Sequence, residues 1–359
     1  MKFVIRAGGI GTRLWPFSRR QKPKQFHALV GDRSMLQTAV DRIDSIAKTE
    51  DVYVSTGATL AKGVSQQLPD LTSNRLIVEP ALRNTGPAVG LECVLLEAAF
   101  PGCVVASLGS DHHIGKPEEF CRLLEVAEAA VDANPDELVL IGVKPWRAET
   151  GFGYIQKGEV FHEANGEPVY RVGGFKEKPD AATAESYVSS GDYLWNSNMF
   201  VWRAARVLEL IEEFEPDLHA GLMEIKAAVG TDAQQSTLER VYPRLKEIAI
   251  DNAVLERAEW VAVVEADIDW SDIGSWGALA DVLPVDEHGN LVSADAITVD
   301  TTGSTVYAPD GKLVALIGVD NLVVVDSGDA LLIVPKDEVQ RVREIVDKLG
   351  DREDGGKYL

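Results

Sequence analysis

Gly8, Gly9 and Gly11 follow a short apolar run and are themselves followed by Arg13, Arg19, Arg20, Lys22 and Lys24, with no acid between residues 6 and 26. A glycine-rich turn between a strand and a helix lets backbone N–H groups approach phosphate oxygens, and Arg and Lys are natural partners for a polyphosphate. Glycine alone leaves phosphate binding and a tight structural turn equally open. The Walker spacing is absent, and the dinucleotide spacing G-x-G-x-x-G starts at Gly9 and Gly11 but meets Leu14 at its third glycine. The cations tip the reading toward phosphate. Pro16 and Pro23 argue against a continuous helix across them.

Two acids further along suit a divalent cation. Asp111 lies in SLGSDHHI and Asp272 in DWSDIGSW, and Mg²⁺ usually takes one or two carboxylates, with phosphate and water completing its shell. A cap at Asp111 and a turn of Asp272 with Gly274 are the plainer alternatives. His112 and His113 adjoin Asp111, but adjacent residues do not normally converge as a hydrolytic triad, so both read as structural. Glu177 and Lys178 stand just before a proline in GGFKEKPD, where an exposed ion pair is the bland reading.

The elements that must position these residues alternate. KFVIRA, DVYVSTG, RLIVEP, CVVASLG and ELVLIGV read as strands. SMLQTAVDRIDSIA (with Ser34 as its cap), TGPAVGLECVLLEAAF and PEEFCRLLEVAEAAVDAN read as helices between them. That alternation predicts βαβ crossovers and a Rossmann-like, doubly wound α/β domain, with ligands outside the carboxyl ends of its strands. The glycine loop and Asp111 both fall at such ends. From about residue 287 the texture changes to short β-rich runs punctuated by Gly, Asp, Asn and Pro. The expected division is therefore 1–286 and 287–359, the second part all-β with a closing helix. That helix should bury Val339, Val342, Ile345, Val346 and Leu349 on one face and end at Gly350 as C′ residue, with a mobile tail after it.

Composition sets the outer bounds. The chain has 359 residues, 45% hydrophobic and 26% charged, with net charge −22, which argues against a nucleic-acid-binding face. Cys93, Cys103 and Cys121 lack C-x-x-C spacing and read as free thiols. No leader-like segment opens the sequence and no apolar run suits a membrane span, so the expected location is cytoplasmic.

The segment AGGIGTRLWPFSRRQKPKQF resembles the signature of sugar-1-phosphate nucleotidyltransferases, and its Trp15-Pro16 and PKQF details resemble their mannose-1-phosphate guanylyltransferase branch. The resemblance continues in order through VEPALRNTGPA, SLGSDHHI, TGFGYIQKG, GGFKEKPD, LWNSNMFVW and DWSDIGSW. It implies a nucleotidyltransferase domain followed by a small left-handed β-helix, and the chain ends before the isomerase domain of longer relatives. The implied reaction joins GTP and mannose 1-phosphate to give GDP-mannose and pyrophosphate, with Mg²⁺ and no nucleic acid or membrane. A homodimer is the family expectation. By resemblance Gly8, Gly9, Gly11 and Thr12 wrap the nucleotide, Arg13 holds the triphosphate, and Lys24 neutralises the reacting phosphates. Asn84 lies near the nucleotide. Asp111 and Asp272 hold the metal, Asp111 also serving the nucleotide side. Lys178 takes the sugar phosphate, and Gly151, Glu177 and Asn196 form the sugar pocket.

Four positions depart from the family pattern: Arg6 before AGG, Gly86 in RNTGPA, Gly109 before SDH, and Asn198 in WNSNMF. They bear on which sugar fits more than on the reaction. Another sugar 1-phosphate or nucleotide, or a catalytically silent sugar-nucleotide-binding regulator, are the alternatives. A silent protein would be free to lose Arg13, Lys24, Asp111 or Lys178, and all four are present.

Overall fold

A computed structural model describes residues 1–9 and 11–359, Asp310 by its backbone alone. The first strands, β1 (Lys2–Arg6), β2 (Val52–Gly57), β3 (Leu76–Glu79) and β4 (Val104–Gly109), alternate with α1 (Met35–Asp41), α2 (Ala61–Gln67) and α3 (Thr85–Ala99). There follow β5 (His113–Ile114), α4 (Pro117–Ala133), β6 (Leu138–Val143), β7 (Gly153–Ala164), β8 (Glu167–Glu177), α5 (Ala181–Ser190) and β9 (Tyr193–Arg203). Next come α6 (Ala204–Phe214), α7 (Pro216–Ala228), α8 (Gln234–Val241), β10 (Val261–Ala266) and β11 (Trp270–Ser271). The last elements are β12 (Leu291–Val299), β13 (Thr305–Ile317), β14 (Leu322–Asp326), β15 (Leu331–Pro335) and α9 (Val342–Gly350).

The chain divides into two compact units. The first comprises Met1–Gly8, Val40–Gly109 and Lys116–Ile268 and holds a nine-stranded sheet of order β3-β2-β1-β4-β9-β6-β10-β8-β7. Strands β1 to β4 pair in parallel, as do β6 and β10, while β9 runs antiparallel between β4 and β6. The sheet is therefore mixed, a doubly wound core with antiparallel strands β7, β8 and β9 worked into it. Apolar residues of α3, α6 and α7 pack on one core with Val4, Val105, Phe200 and Trp202.

Helix starts follow local chemistry. The Ser34 hydroxyl accepts from the Gln37 N–H at 3.2 Å, and the Gln37 side-chain oxygen accepts from the Ser34 N–H at 3.1 Å, a reciprocal capping box. Asp180 caps α5 through the Thr183 N–H at 2.8 Å, and α4 begins with Pro117 followed by Glu118 and Glu119 in its first turn.

The second unit comprises Gly9–Ala39, Ser110–Gly115 and Asp269–Leu359. Strands β12, β13 and β14 stack in parallel, and β15 returns antiparallel to β14. Its core joins Leu14, Trp15 and Met35 to Trp276, Tyr307, Val323, Val325, Leu332 and Val339. Two expectations need correction here. The closing segment starts as a 3₁₀ turn, Lys336–Arg341, before α9. It buries Val339, Val342 and Leu349 but leaves Ile345 40% exposed, with Gly350 inside the helix. The last residues are not loose. Gly355–Tyr358 form a 3₁₀ turn, the Tyr358 carbonyl accepts from the indole N–H of buried Trp15 at 2.9 Å, and the Leu359 carbonyl accepts from the Arg20 N–H at 2.5 Å. A buried indole needs an acceptor, and this turn supplies it.

Candidate active site

Gly9, Gly11, Thr12, Arg13, Lys24, Asp111 and Asp272 belong to the second unit, and Gly8 ends a segment of the first. Gly11 adopts φ +66°, and a Cβ there would stand 2.9 Å from the Lys24 Cβ, so the loop requires glycine at this point. Gly8 and Gly9 lie in open space, with no atom within 4 Å of a built Cβ. Past the turn, Thr12–Leu14 and Lys24–Phe26 are short 3₁₀ turns. Phe17 packs edge-on against Trp276 and Tyr307 at 5.7 and 5.0 Å, and the Trp276 indole donates to the Trp15 carbonyl at 2.9 Å. The basic segment is thus rooted in aromatic core rather than lying loose on the surface.

Lys24 is 4% exposed. Its ammonium donates to Asp111 Oδ2 at 3.0 Å and to the Asp272 carbonyl. The pairing of β5 with β11, Ser271 opposite His113 and Trp270 opposite Ile114, brings the two distant aspartate loops together. Burial is the largest single influence and raises the Asp111 carboxyl, but the charge and hydrogen bond of Lys24, His112 and the local backbone together hold it down at about 2. Asp272 goes the other way: burial raises it against the charges of Lys24 and Arg13. Its Oδ1 accepts from the Gly274 N–H at 2.9 Å, so the simple turn weighed from sequence is present as well. Ile273 and Asp269 carry φ +38° and +48°, conformations an L-residue adopts at a cost of order 1–3 kcal/mol.

The other cations divide. Arg13 donates to Gln340 Oε1 at 3.0 Å, a neutral partner. Arg19 is tied to Asp329 at 2.5 Å and to Ser327 Oγ at 3.2 Å, so it braces the loop instead of facing a ligand. Arg20 and Lys22 are exposed. Among the described residues no group of three or more His, Cys, Asp or Glu side chains stands ready to hold a metal. A pair of carboxylates beside one ammonium still suits an ion that draws its remaining ligands from phosphate and water.

Asn84, Gly151, Glu177, Lys178 and Asn196 belong to the first unit. Glu177 ends β8 opposite Gly153 and pairs with the Lys178 ammonium, both side chains exposed and Lys178 at φ +40°. Asn196, in β9 opposite Gly142, donates through Nδ2 to Asp251 Oδ1 at 2.8 Å, and its Oδ1 accepts from the Asn198 N–H at 3.1 Å. The Gly151 N–H donates to Glu149 Oε1 at 3.0 Å, and Arg147 holds the other oxygen of Glu149 at 3.0 Å. Asn84 caps α3 from φ +66°, accepting from the Thr85 N–H at 2.8 Å. Gly86, the departure in that motif, sits against Ile248: its N–H donates to the Ile248 carbonyl at 2.8 Å, and a Cβ would come within 2.7 Å of that oxygen.

Sequence reasoning missed Asp251, Gln340, Arg147 and Glu149, whose roles rest on partners far along the chain or on loop geometry. Trp195, Trp270 and Trp276 are buried.

Residues 2–288 match the nucleotidyl transferase family, and residues 285–349 match the mannose-phosphate isomerase/GMP-like β-helix domain. The chain is 38% identical over 351 residues to the mannose-1-phosphate guanylyltransferase ManC of Salmonella typhimurium, covering 96% of this chain and 72% of the relative. It is 39% identical to a mannose-1-phosphate guanylyltransferase of Klebsiella pneumoniae, covering 96% and 73%. A crystal structure from Thermus thermophilus, described as a mannose-1-phosphate geranyltransferase, matches with TM-score 0.86 and 34% identity, covering 97% of this chain and 99% of that one. The chain belongs to the mannose-1-phosphate guanylyltransferase group of the nucleotidyl transferase family.

Proposed function

We propose that the protein transfers GMP from GTP to mannose 1-phosphate. A phosphate oxygen of the sugar 1-phosphate attacks the α-phosphorus in line, the new P–O bond forms, the α–β anhydride bond breaks, and pyrophosphate leaves. The observation that carries this reading is the Lys24 ammonium, buried under the Gly11 turn and joined to both aspartate loops. The relatives named for the same reaction support it.

Positioning and charge stabilisation are what the chain must supply. The backbone of Gly8, Gly9, Gly11 and Thr12 receives the nucleotide phosphates. Arg13 exchanges neutral Gln340 for the triphosphate, since a charge-assisted bond outcompetes a neutral one. Lys24, already positioned, offsets the negative charge that accumulates on the reacting phosphates. Asn84 serves the nucleotide. Lys178 takes the sugar phosphate, while Glu177, Asn196 and Gly151 orient sugar hydroxyls, amide and carboxylate groups fixing hydrogen-bond direction.

Nucleotidyl transferases typically use a divalent metal, and Asp111 and Asp272 would hold Mg²⁺ here. When bound, it supplies charge neutralisation and orientation of the phosphate oxygens. Asp111, held ionised by Lys24, is ready for that role. We further place the functional boundary at residues 286 and 287, with a cytoplasmic, homodimeric enzyme as the working assignment. Among the described residues no helix is long and apolar enough to cross a membrane.

The test is pyrophosphate release with Mg²⁺, crossing GTP, ATP, UTP and CTP with mannose, glucose and related sugar 1-phosphates. Turnover restricted to GTP with mannose 1-phosphate is the expected result. Preference for another pair keeps the chemistry and overturns the substrate.

A further inference from the structure

Arg6 ends β1, in register with Ser55 on β2 and Gly109 on β4. An arginine at the end of a central parallel strand calls for a reason, since charged groups are rarely placed there unless paired. Its guanidinium donates to the Asn198 carbonyl and lies 5.2 Å from the Phe200 ring centroid. Its charge also acts on three largely buried carboxyls, Glu79, Glu92 and Asp251.

Two of these connections lead to one turn. Asn198 carries φ +54°, an uncommon conformation for any residue with a side chain, though asparagine tolerates it. Its N–H donates to Asn196 Oδ1 at 3.1 Å, and Asn196 Nδ2 donates to Asp251 Oδ1 at 2.8 Å. Arg6 therefore grips the turn at its carbonyl and balances the acid that orients the Asn196 amide. That amide keeps one N–H and one lone pair for a further partner. We propose that Arg6 is a positioning residue for sugar selection, setting the 196–198 turn so that Asn196 meets the sugar hydroxyls in a fixed direction. This rests on the reading of Asn196 as a sugar-pocket residue.

The test compares wild type with Arg6→Met, Arg6→Lys and the double variant Arg6→Met/Glu92→Gln, which removes a buried carboxylate left without its cation. The wild type is first run against the substrate matrix, which decides the substrate independently. Each variant is then measured with whichever pair the wild type uses. For Arg6→Met the KM for the sugar 1-phosphate should rise about tenfold or more, the scale of one lost charge-assisted hydrogen bond, with the nucleotide KM nearly unchanged. Arg6→Lys should recover part of the loss. If Arg6→Met does not fold, the double variant carries the same expectation. If neither folds, a raised sugar KM in Arg6→Lys supports the proposal and an unchanged one overturns it. An unchanged sugar KM, or equal changes in both KM values, in a variant with wild-type unfolding midpoint would reduce Arg6 to charge compensation. Wild type that turns over no pair would overturn both this inference and the proposed reaction.

Discussion

At the scale of single residues, two positions are fixed by what surrounds them. Gly86 has no room for a methyl group, because the Ile248 carbonyl would stand 2.7 Å from it. Gly86→Ala should therefore destabilise the protein by about 1–3 kcal/mol in urea unfolding, the cost of overpacking against backbone. A wild-type midpoint would contradict that account. Glu92 is 1% exposed and accepts from the Ser107 hydroxyl at 3.0 Å. Burial raises its carboxyl from 4.5 to about 7 against the pull of Arg6. Between those values the folded chain binds a proton that the unfolded chain has released, so stability falls as pH rises through that window. Relative to wild type, Glu92→Gln should gain stability between pH 5 and pH 8. An equal difference at both pH values would show that Glu92 ionises alike in the folded and unfolded chain.

At the scale of elements, the loop from Gly11 to Phe26 owes its shape to residues far along the sequence. Trp15 and Arg20 are hydrogen-bonded to the carbonyls of Tyr358 and Leu359, and Arg19 is tied to Asp329. Removing residues 355–359 should cost about 1–3 kcal/mol by leaving a buried indole donor unmet. It should also raise the nucleotide KM more than the sugar-phosphate KM, measured by initial rates; unchanged values would detach the tail from the loop. This was the part least legible in the sequence. DREDGGKYL is short, polar and glycine-bearing, and its hold on the loop uses backbone carbonyls, which leave no side-chain signature. Strands β1 to β4 and β6 and helices α3 and α4 were legible, because each buries an apolar run of the right period between breakers. Helix α2, which buries only Val64, and the two-residue β5 were not, and α1 stops at Asp41, short of the expected SMLQTAVDRIDSIA helix. The antiparallel course of β9 was not, since a strand buried on both faces reads the same in either direction. Of the site residues, Lys24, Asp111 and Asp272 could be named from charge and motif, but their meeting depends on the β5–β11 pairing, only two residues long in each strand. Asp251 and Gln340 carried no sequence signal, as each acts through a partner.

At the scale of the whole molecule, a chain of net charge −22 concentrates cations in one glycine-led segment, and structure sorts them: Lys24 to the aspartates, Arg19 to bracing, Arg13 to a neutral amide. In the proposed reaction Arg13 serves the nucleotide and Glu177 and Asn196 serve the sugar, so loss of function on substituting them should split by substrate. The measurement that tests the central claim most directly is a phosphorus NMR time course of GTP and mannose 1-phosphate with Mg²⁺ and the purified protein. GDP-mannose and pyrophosphate should appear in equal amounts, and Asp111→Ala, with its fold intact by circular dichroism, should produce neither. Release of inorganic phosphate and GDP, or unchanged substrates with wild-type protein, would contradict the account.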